Sequence, residues 1–475
     1  MTKKFSGNIL ALSLPCILLS LFTPLESLTI NTPSFLTGFT SSPPASCDEI
    51  NAVSARELSL KESIDIAFLN NKAIQIQEEE LDVSRAGILG AKSAFWPKLS
   101  AKYGYTDNGA SFTVNQAVAQ NSKKDIGTFT GYTNDNRVGL AVNETVYNGG
   151  ADIAVLKESR LGLKVQEETL RARKLDVAFE TKRLYYGLLL SYETERITEE
   201  LLHEAQAHYY DVKTKFGQGS SSKFDVLQSS VQVSKIVPEV VKAKNATQLI
   251  MAEFKKVLSL DMNEPIKANG RLAYSPSEIT EGEFLKEAYR SNPEMILKVL
   301  GIDISKWEIE YAKSGYYPQV GANFGYDYRS NNMNTIFDYR HTNWALGVTV
   351  GLSIFDGMST KAKVDAAKAK YSQAHLEKED FSDQLVVNVK SACLDMIEAD
   401  AIVKSQESAI VEAKDALRIA RIGYDNGVTT NLDVLDTQVS LSQVERNLSE
   451  GIYDYLIAKA QIDRVMGRES YGEER

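Results

Sequence analysis

The chain switches between two hydrophobic periods. Val320, Ala322, Phe324, Tyr326 and Tyr328 alternate with Gln319, Gly321, Asn323, Gly325 and Asp327. Trp344, Leu346, Val348, Val350, Leu352 and Ile354 alternate with Ala345, Gly347, Thr349, Gly351 and Ser353, and Leu99, Ala101, Tyr103 and Tyr105 with Ser100, Lys102, Gly104 and Thr106. A fourth stretch around Val138 is less regular, with Glu144 on its apolar face. Period two predicts strands. One such strand alone also fits a half-buried strand of a soluble sheet. About ten residues with one apolar face, one polar face and aromatics near the ends suit a strand between lipid and water.

Elsewhere the period is helical. Residues 359–422 contain neither Gly nor Pro, and residues 151–215 contain two Gly and no Pro. At 1.5 Å per residue, such a helix extends roughly 95 Å. Leu156, Leu163, Leu170, Val177 and Leu184 recur every seventh residue, and Ala154, Leu161, Leu175 and Leu189 mark a second, gapped seam. Two seams predict a helix packed between neighbours on both sides, whereas a free-standing coiled-coil stalk needs one. These helices are too charged for lipid and must stand in water.

The two periods occur twice. Trp96-Pro97-Lys98-Leu99-Ser100-Ala101-Lys102-Tyr103-Gly104-Tyr105 matches Tyr317-Pro318-Gln319-Val320-Gly321-Ala322-Asn323-Phe324-Gly325-Tyr326 at a spacing of 221, which Asn71 and Asn292 share. Beyond the first strand pair the spacing becomes 208: Val138-Gly139-Leu140 matches Leu346-Gly347-Val348, Tyr147-Asn148-Gly149 matches Phe355-Asp356-Gly357, and Asp225-Val226-Leu227 matches Asp433-Val434-Leu435. The difference, 221 − 208 = 13, is an insertion between the first pair of strands, which marks a surface loop. Each half therefore reads helix, strand, loop, strand, long helix, turn, helix. The first helix ends where Trp96-Pro97 or Tyr317-Pro318 forbids its continuation. The expected layout is a leader over 1–25, a Ser/Pro-rich segment over 26–57, a first repeat over 58–260, a linker over 261–280, a second repeat over 281–467 and a polar tail over 468–475.

Lipid tolerates no unpaired strand edge, so a spanning sheet must close, and four strands are too few. Several copies must share one barrel. Three would give 12 strands and a backbone diameter of roughly 25 Å; the strand count alone requires only more than one copy.

Composition narrows the function. The formal net charge is −10, from 53 basic and 63 acidic side chains, with no Lys/Arg run beyond the first residues, so a nucleic-acid footprint is missing. Lys3 and Lys4 before the apolar residues 9–22 read as an export signal. Pro44-Ala45-Ser46-Cys47 matches a lipoprotein cleavage site only faintly, with Pro three before the cysteine and the apolar stretch ending early. Beyond the leader no run of about 20 apolar residues could span a bilayer as a helix. Cys16, Cys47 and Cys393 form neither a disulfide framework nor a metal set. His203 and His208 are five apart and off one helical face, and His341 and His375 lie far away, so no metal-ligand spacing occurs. Nucleophile elbow and P-loop are missing too. An enzyme and a cofactor are not expected.

The run Gly423-Tyr424-Asp425-Asn426-Gly427-Val428-Thr429-Thr430-Asn431-Leu432-Asp433-Val434-Leu435-Asp436 resembles the tip turn of the TolC family of outer-membrane efflux and secretion ducts. Tyr453-Asp454-Tyr455-Leu456, the opening Leu58-Ser59-Leu60-Lys61-Glu62-Ser63-Ile64 with Asn70-Asn71, and the Pro-punctuated strand entries fit the same family, over about 58–467. The resemblance implies a mixed, mainly α fold: a homotrimer with a 12-stranded β-barrel in outer-membrane lipid, a long antiparallel α-helical coiled-coil barrel through the periplasm, and α/β structure at the waist. It implies two partners, a periplasmic adaptor and an inner-membrane ABC or proton-driven pump, which would choose the substrate.

A passive duct needs a gate. Gly219 and Gly427 suit the left-handed backbone of a tight helix-to-helix turn, and the resemblance makes Gly219, Ser220, Gly427 and Val428 adaptor-contacting tips. Asp433 and Asp436, three apart, share one face at a helix start, where acidic residues ordinarily favour the helix dipole. The resemblance places them at the narrowest point of the pore, with six carboxylates around one axis in a trimer. It also implies gate links from Tyr424 and Asp225. A family Arg falls at Thr429, so the link there is no salt bridge. Pro238 should kink the first return helix, whereas its match Arg446 should not. The competing reading is a barrel-anchored coiled-coil surface protein, structural or adhesive, against which the duplication argues.

Overall fold

The computed structural model describes residues 56–107, 134–330, 333–339 and 342–468. The leader, Cys47, the loop carrying the insertion, His341 and most of the tail lie outside them. The first half runs β1 (Arg56–Leu58), α1 (Leu60–Asn70), α2 (Lys72–Lys92), β2 (Lys98–Asp107), β3 (Asn134–Asn148), α3 (Ala151–Gly217) and α4 (Lys223–Leu258). The second runs β4 (Ile266–Ala268), α5 (Glu281–Ser291), α6 (Pro293–Lys313), β5 (Gln319–Ser330), β6 (Thr342–Gly351), α7 (Ser359–Asp425) and α8 (Asn431–Met466). Matching helices are equal in length: 11, 21, 67 and 36 residues in each half. Among the described residues no helix is long and apolar enough to cross a membrane.

Each expected first helix is a pair, broken at Asn71 or Asn292. The Asn71 carboxamide oxygen accepts from Ala73 N at 2.9 Å, capping α2, and that of Asn292 accepts from Met295 N at 3.0 Å, capping α6. Each side-chain amide then donates to the end of its own return helix, Asn71 to Val257 O at 2.8 Å and Asn292 to Val465 O at 2.9 Å. One residue type thus ends a helix, starts the next and pins the corner to a third. The pairs end in a short 3-10 turn, and Trp96 and Tyr317 turn extended before their prolines. Helix α4 runs unbroken through Pro238.

The four long strands form one antiparallel sheet in the order β2-β3-β5-β6. Its register aligns the apolar positions into rows. Leu99, Val142, Phe324 and Leu346 face one way, as do Ala101, Leu140, Tyr326 and Trp344. Lys102, Gly139, Asp327 and Asn343 share the opposite face. The irregularity of the second strand has a local cause. A β-bulge between Thr145 and Tyr147 shifts the pairing by one, setting Tyr147 opposite Val320 and back in phase with the apolar face. Just before it, Glu144 opposes Ala322, and its Oε2 is buried without a partner. The alternation expected to reach Ile354 pairs only as far as Gly351, because β5 begins after Pro318 and offers no further ladder. Leu352 and Ile354 lie beyond it, exposed.

The helices pack as antiparallel hairpins, α3 with α4 and α7 with α8. Matching core residues close each hairpin at the waist. Leu188, Phe254 and Leu258 are fully buried in the first half, and Met396, Ile462 and Met466 fill the same places in the second. Each such side chain contributes about 1.5–3 kcal/mol of transfer free energy. A two-stranded parallel sheet of β1 and β4, which no local pattern announced, lays Leu58, Ile266 and Ala268 over the first core. In the second half Tyr455 stacks edge-on with Tyr274, which hydrogen-bonds Asp400.

The neighbours of the long helices differ. Helix α3 touches α1, α2, α4, α6 and α8, whereas α7 touches α5, α6 and α8. Helix α7 accordingly leaves Val387, Leu394, Ile397, Val411 and Ile419 exposed.

Candidate functional site

The two hairpin tips are built alike. In the first, Gly219 takes φ +80°, its N–H donates to Phe216 O at 3.0 Å and Ser220 N–H donates to Lys215 O at 2.8 Å. In the second, Gly427 takes φ +74°, its N–H donates to Tyr424 O at 3.2 Å and Val428 N–H donates to Gly423 O at 2.7 Å. Both are Schellman closures, which need a left-handed residue just past the helix end. Each return helix then opens on a capping box, Ser222 with Asp225 and Thr430 with Asp433.

The boxes decide what the predicted aspartates do in one chain. Asp433 accepts from Thr430 N and Oγ1, both at 2.7 Å, and these bonds hold its carboxyl below the usual carboxylate range. Asp225 accepts from Ser222 N at 3.1 Å and Ser222 Oγ at 2.7 Å. Asp436 stands exposed one turn beyond Asp433. Thr429 is engaged within its own hairpin: its hydroxyl donates to Ala420 O at 2.9 Å, and its side chain lies over Gly423, where a Cβ would come within 2.7 Å of the Thr429 methyl. The Asn431 amide donates to Asp225 O at 3.4 Å, and no direct bond joins the Tyr424 hydroxyl to the Asp225 carboxylate among the described residues.

The hairpins are joined by residues that sequence reasoning passed over. His208 Nε2 meets Asn431 Oδ1 at 2.7 Å, and Ser229 Oγ donates to the same oxygen at 3.2 Å. The Asn431 amide donates to Gln228 Oε1 at 3.1 Å. His208, Ser229 and Asn431 are all buried. Burial pushes the His208 imidazole below its ordinary value, as do Arg421 and Lys215, while the Asn431 bond and Asp211 act the other way. Further out, Lys215 pairs with Asp425 at 2.8 Å and lies 4.4 Å from the Tyr424 ring centroid, and Arg421 pairs with Glu204 at 2.8 Å. Glu204, His208, Arg421, Tyr424 and Asp425 rim a cavity of about 350 Å³ that His203 and Gln438 also line. His203 and His208 thus share one depression despite their spacing, and no cluster able to hold a metal occurs among the described residues. The available signal for His208 was its place in the seam Leu201, Ala205, His208, Val212, all buried.

Paired helical hairpins of this length, set on a sheet with one mainly apolar face, define an outer-membrane export channel. The chain belongs to the outer membrane efflux protein family, which it matches over residues 63–258 and 284–468. It is similar to outer membrane protein TolC of Vibrio cholerae, 24% identical over 54% of this chain and 59% of that protein. It is also similar to the alkaline protease secretion protein AprF of Pseudomonas aeruginosa, 19% identical over 85% and 83% of the two chains. In fold it resembles the crystal structure of the Campylobacter jejuni CmeC outer membrane channel, at a TM-score of 0.75 and 17% identity over 86% of this chain and 85% of that one. VceC of Vibrio cholerae gives 0.74 and 16% over 86% and 96%. The family is one of channels, not of enzymes, and the protein resides in the outer membrane as an efflux or secretion channel.

Proposed function

We propose that the chain arose by tandem duplication and works as a homotrimer, whose sheets close a 12-stranded barrel in the outer membrane and whose long helices form a tunnel through the periplasm. One observation carries this: the junction between the halves is a template left unfilled at both ends of the protomer. Within the chain, β3 pairs with β5 and α3 packs on α6 and α8. The equivalent surfaces, β6 with the edge of β2 and α7 with α2 and α4, have no mate among the described residues of one chain. Helix α2 exposes Ile76, Val83 and Leu89, and α4 exposes Val241 and Leu249, the complement that α7 requires. Open strand edges and apolar faces of this extent call for a second copy.

In this reading the tips at Gly219, Ser220, Gly427 and Val428 meet a periplasmic adaptor, which couples the duct to an inner-membrane ABC or proton-driven pump. Asp433 and Asp436 constrict the pore, and Tyr424, Asp225 and Thr429 contribute the links that hold it shut. Two unit charges about 4 Å apart repel by about 4 kcal/mol at an effective dielectric of 20, so a ring of six carboxylates favours bound cations or dilation. The protein reconstituted in planar bilayers tests this: Asp433→Ala with Asp436→Ala should relieve block by divalent cations and raise conductance. Unchanged block and conductance would remove the constriction from these residues.

A further inference from the structure

We propose that Lys102 and Arg137 form an anion-binding ring on the inner wall of the barrel, fitted to phosphate or carboxylate groups of small polyanionic solutes in transit. The inference rests on the reading that three chains close the barrel with the polar face inward. That face carries Lys98, Lys102, Arg137 and Arg329 against Asp135 and Asp327. Both carboxylates are taken by arginines. Arg137 pairs with Asp327 at 2.9 Å, and Arg329 grips Asp135 through two nitrogens at 2.7 and 2.8 Å. Among the described residues Lys102 has no carboxylate directly opposite: its cross-strand neighbour is Gly139, and Asp327, one strand further along the row, is paired with Arg137.

Nor does closure supply one. The polar face of β6 presents Asn343, Ala345, Gly347, Thr349 and Gly351. Extending the register of β3 on β5 by the internal spacings, which matches the pair Asn143–Asn323 to Gly351 and Lys102, sets Gly351 of the next copy opposite Lys102. Lys98 is different, because its cavity also contains Glu144 and Asp152. The uncompensated charge therefore resides at Lys102.

The wall is hollowed beside it. A depression of about 410 Å³ is lined by Lys102, Arg137 and Asp327 over a floor of Gly104, Gly139 and Gly325. The floor is bare of necessity at Gly139, where a Cβ would come within 2.9 Å of the Asp327 Cβ. An ammonium and a guanidinium lining one glycine-rich depression suit an oxyanion, and rings of Lys and Arg favour anions in other pores. Threefold closure repeats the site three times at one level, so a ligand with several negative groups gains most.

The test uses the full chain in planar bilayers with tripolyphosphate added to one side at a time. Block is expected from the barrel side. Lys102→Gln should raise the blocking concentration about tenfold; Lys102→Arg should keep it within about twofold, and Lys98→Gln should leave it unchanged. Added salt should weaken the block, as screening requires. A conducting channel whose block ignores Lys102→Gln, or responds equally to Lys98→Gln, would overturn the ring and leave the export channel standing. Purified protein that forms no trimer and no conductance would sink the underlying reading and the ring with it.

Discussion

The two halves of the chain share element lengths to the residue and differ in what covers them. Tyr186 and Leu189 on α3 are 8% and 6% exposed; their matches on α7, Leu394 and Ile397, are 55% and 51% exposed. The backbone is the same, a 67-residue helix beginning after a left-handed turn. The difference comes from position in the series. Helix α3 has the other half of the chain on its open side, and α7 has the end of the protomer. A repeat protein buries its faces only by stacking, and its terminal unit must be capped or joined to another copy. Here both ends are apolar, which is what a protomer of the proposed three-chain ring requires.

The largest expected effect tests that contrast directly. Leu394→Asp with Ile397→Asp should abolish the trimer, seen as a loss of oligomer by native mass spectrometry in detergent, while the protomer stays helical by circular dichroism. The matching change Leu189→Ala should leave assembly intact and destabilise the protomer by about 2–5 kcal/mol in chemical denaturation. Assembly lost equally in both would erase the distinction between the halves.

Next come the corner asparagines, where the halves should behave alike. Asn71→Ala and Asn292→Ala each remove a helix cap and a bond to the return helix, at about 1–2 kcal/mol each. Their thermal unfolding shifts should agree. A much larger loss at one site would mean that the corners do different jobs.

The smallest effect falls where the halves diverge. His208 corresponds to Ala416 and Asn431 to Lys223, so the bond between hairpins has no second copy. His208 is held below its ordinary imidazole value, 6.5, by burial. Its stabilisation is therefore full above about 6.5 and declines as pH falls below that value toward the folded one, where only the unfolded form takes the proton. Hydrogen-exchange protection of the tips, corrected for the intrinsic pH dependence of amide exchange, should fall between neutral and mildly acidic pH, and His208→Gln should flatten that dependence. A wild-type profile independent of pH would remove the histidine from the account.

Much of this was legible in the sequence because it rests on local rules. Pre-proline residues, the Gly219 and Gly427 turns and period-two strands each carry their own signal. The internal repeat made the second half a check on the first. What escaped depends on tertiary contact. Nothing local announces that Asn71 reaches Val257, that three residues at 56–58 pair with 266–268, or that a bulge at Thr145 restores Tyr147 to phase. At the tips, Asp433 was readable as a helix-start acid, but the His208–Asn431 bond spans 223 residues and shows only as a polar residue in an apolar seam.

The ring itself is most directly tested at the open strand edges. Carrying the pair Val142–Phe324 through the internal spacings sets Val350 of one copy opposite Tyr103 of the next, at the Cα separation of about 4.5–5.5 Å that a disulfide spans. With Val350→Cys and Tyr103→Cys in one chain that otherwise lacks cysteine, mild oxidation should yield a covalent trimer on a denaturing gel, and either substitution alone should yield none. Monomer only, or cross-linked ladders that continue beyond three chains, would contradict a closed three-chain barrel.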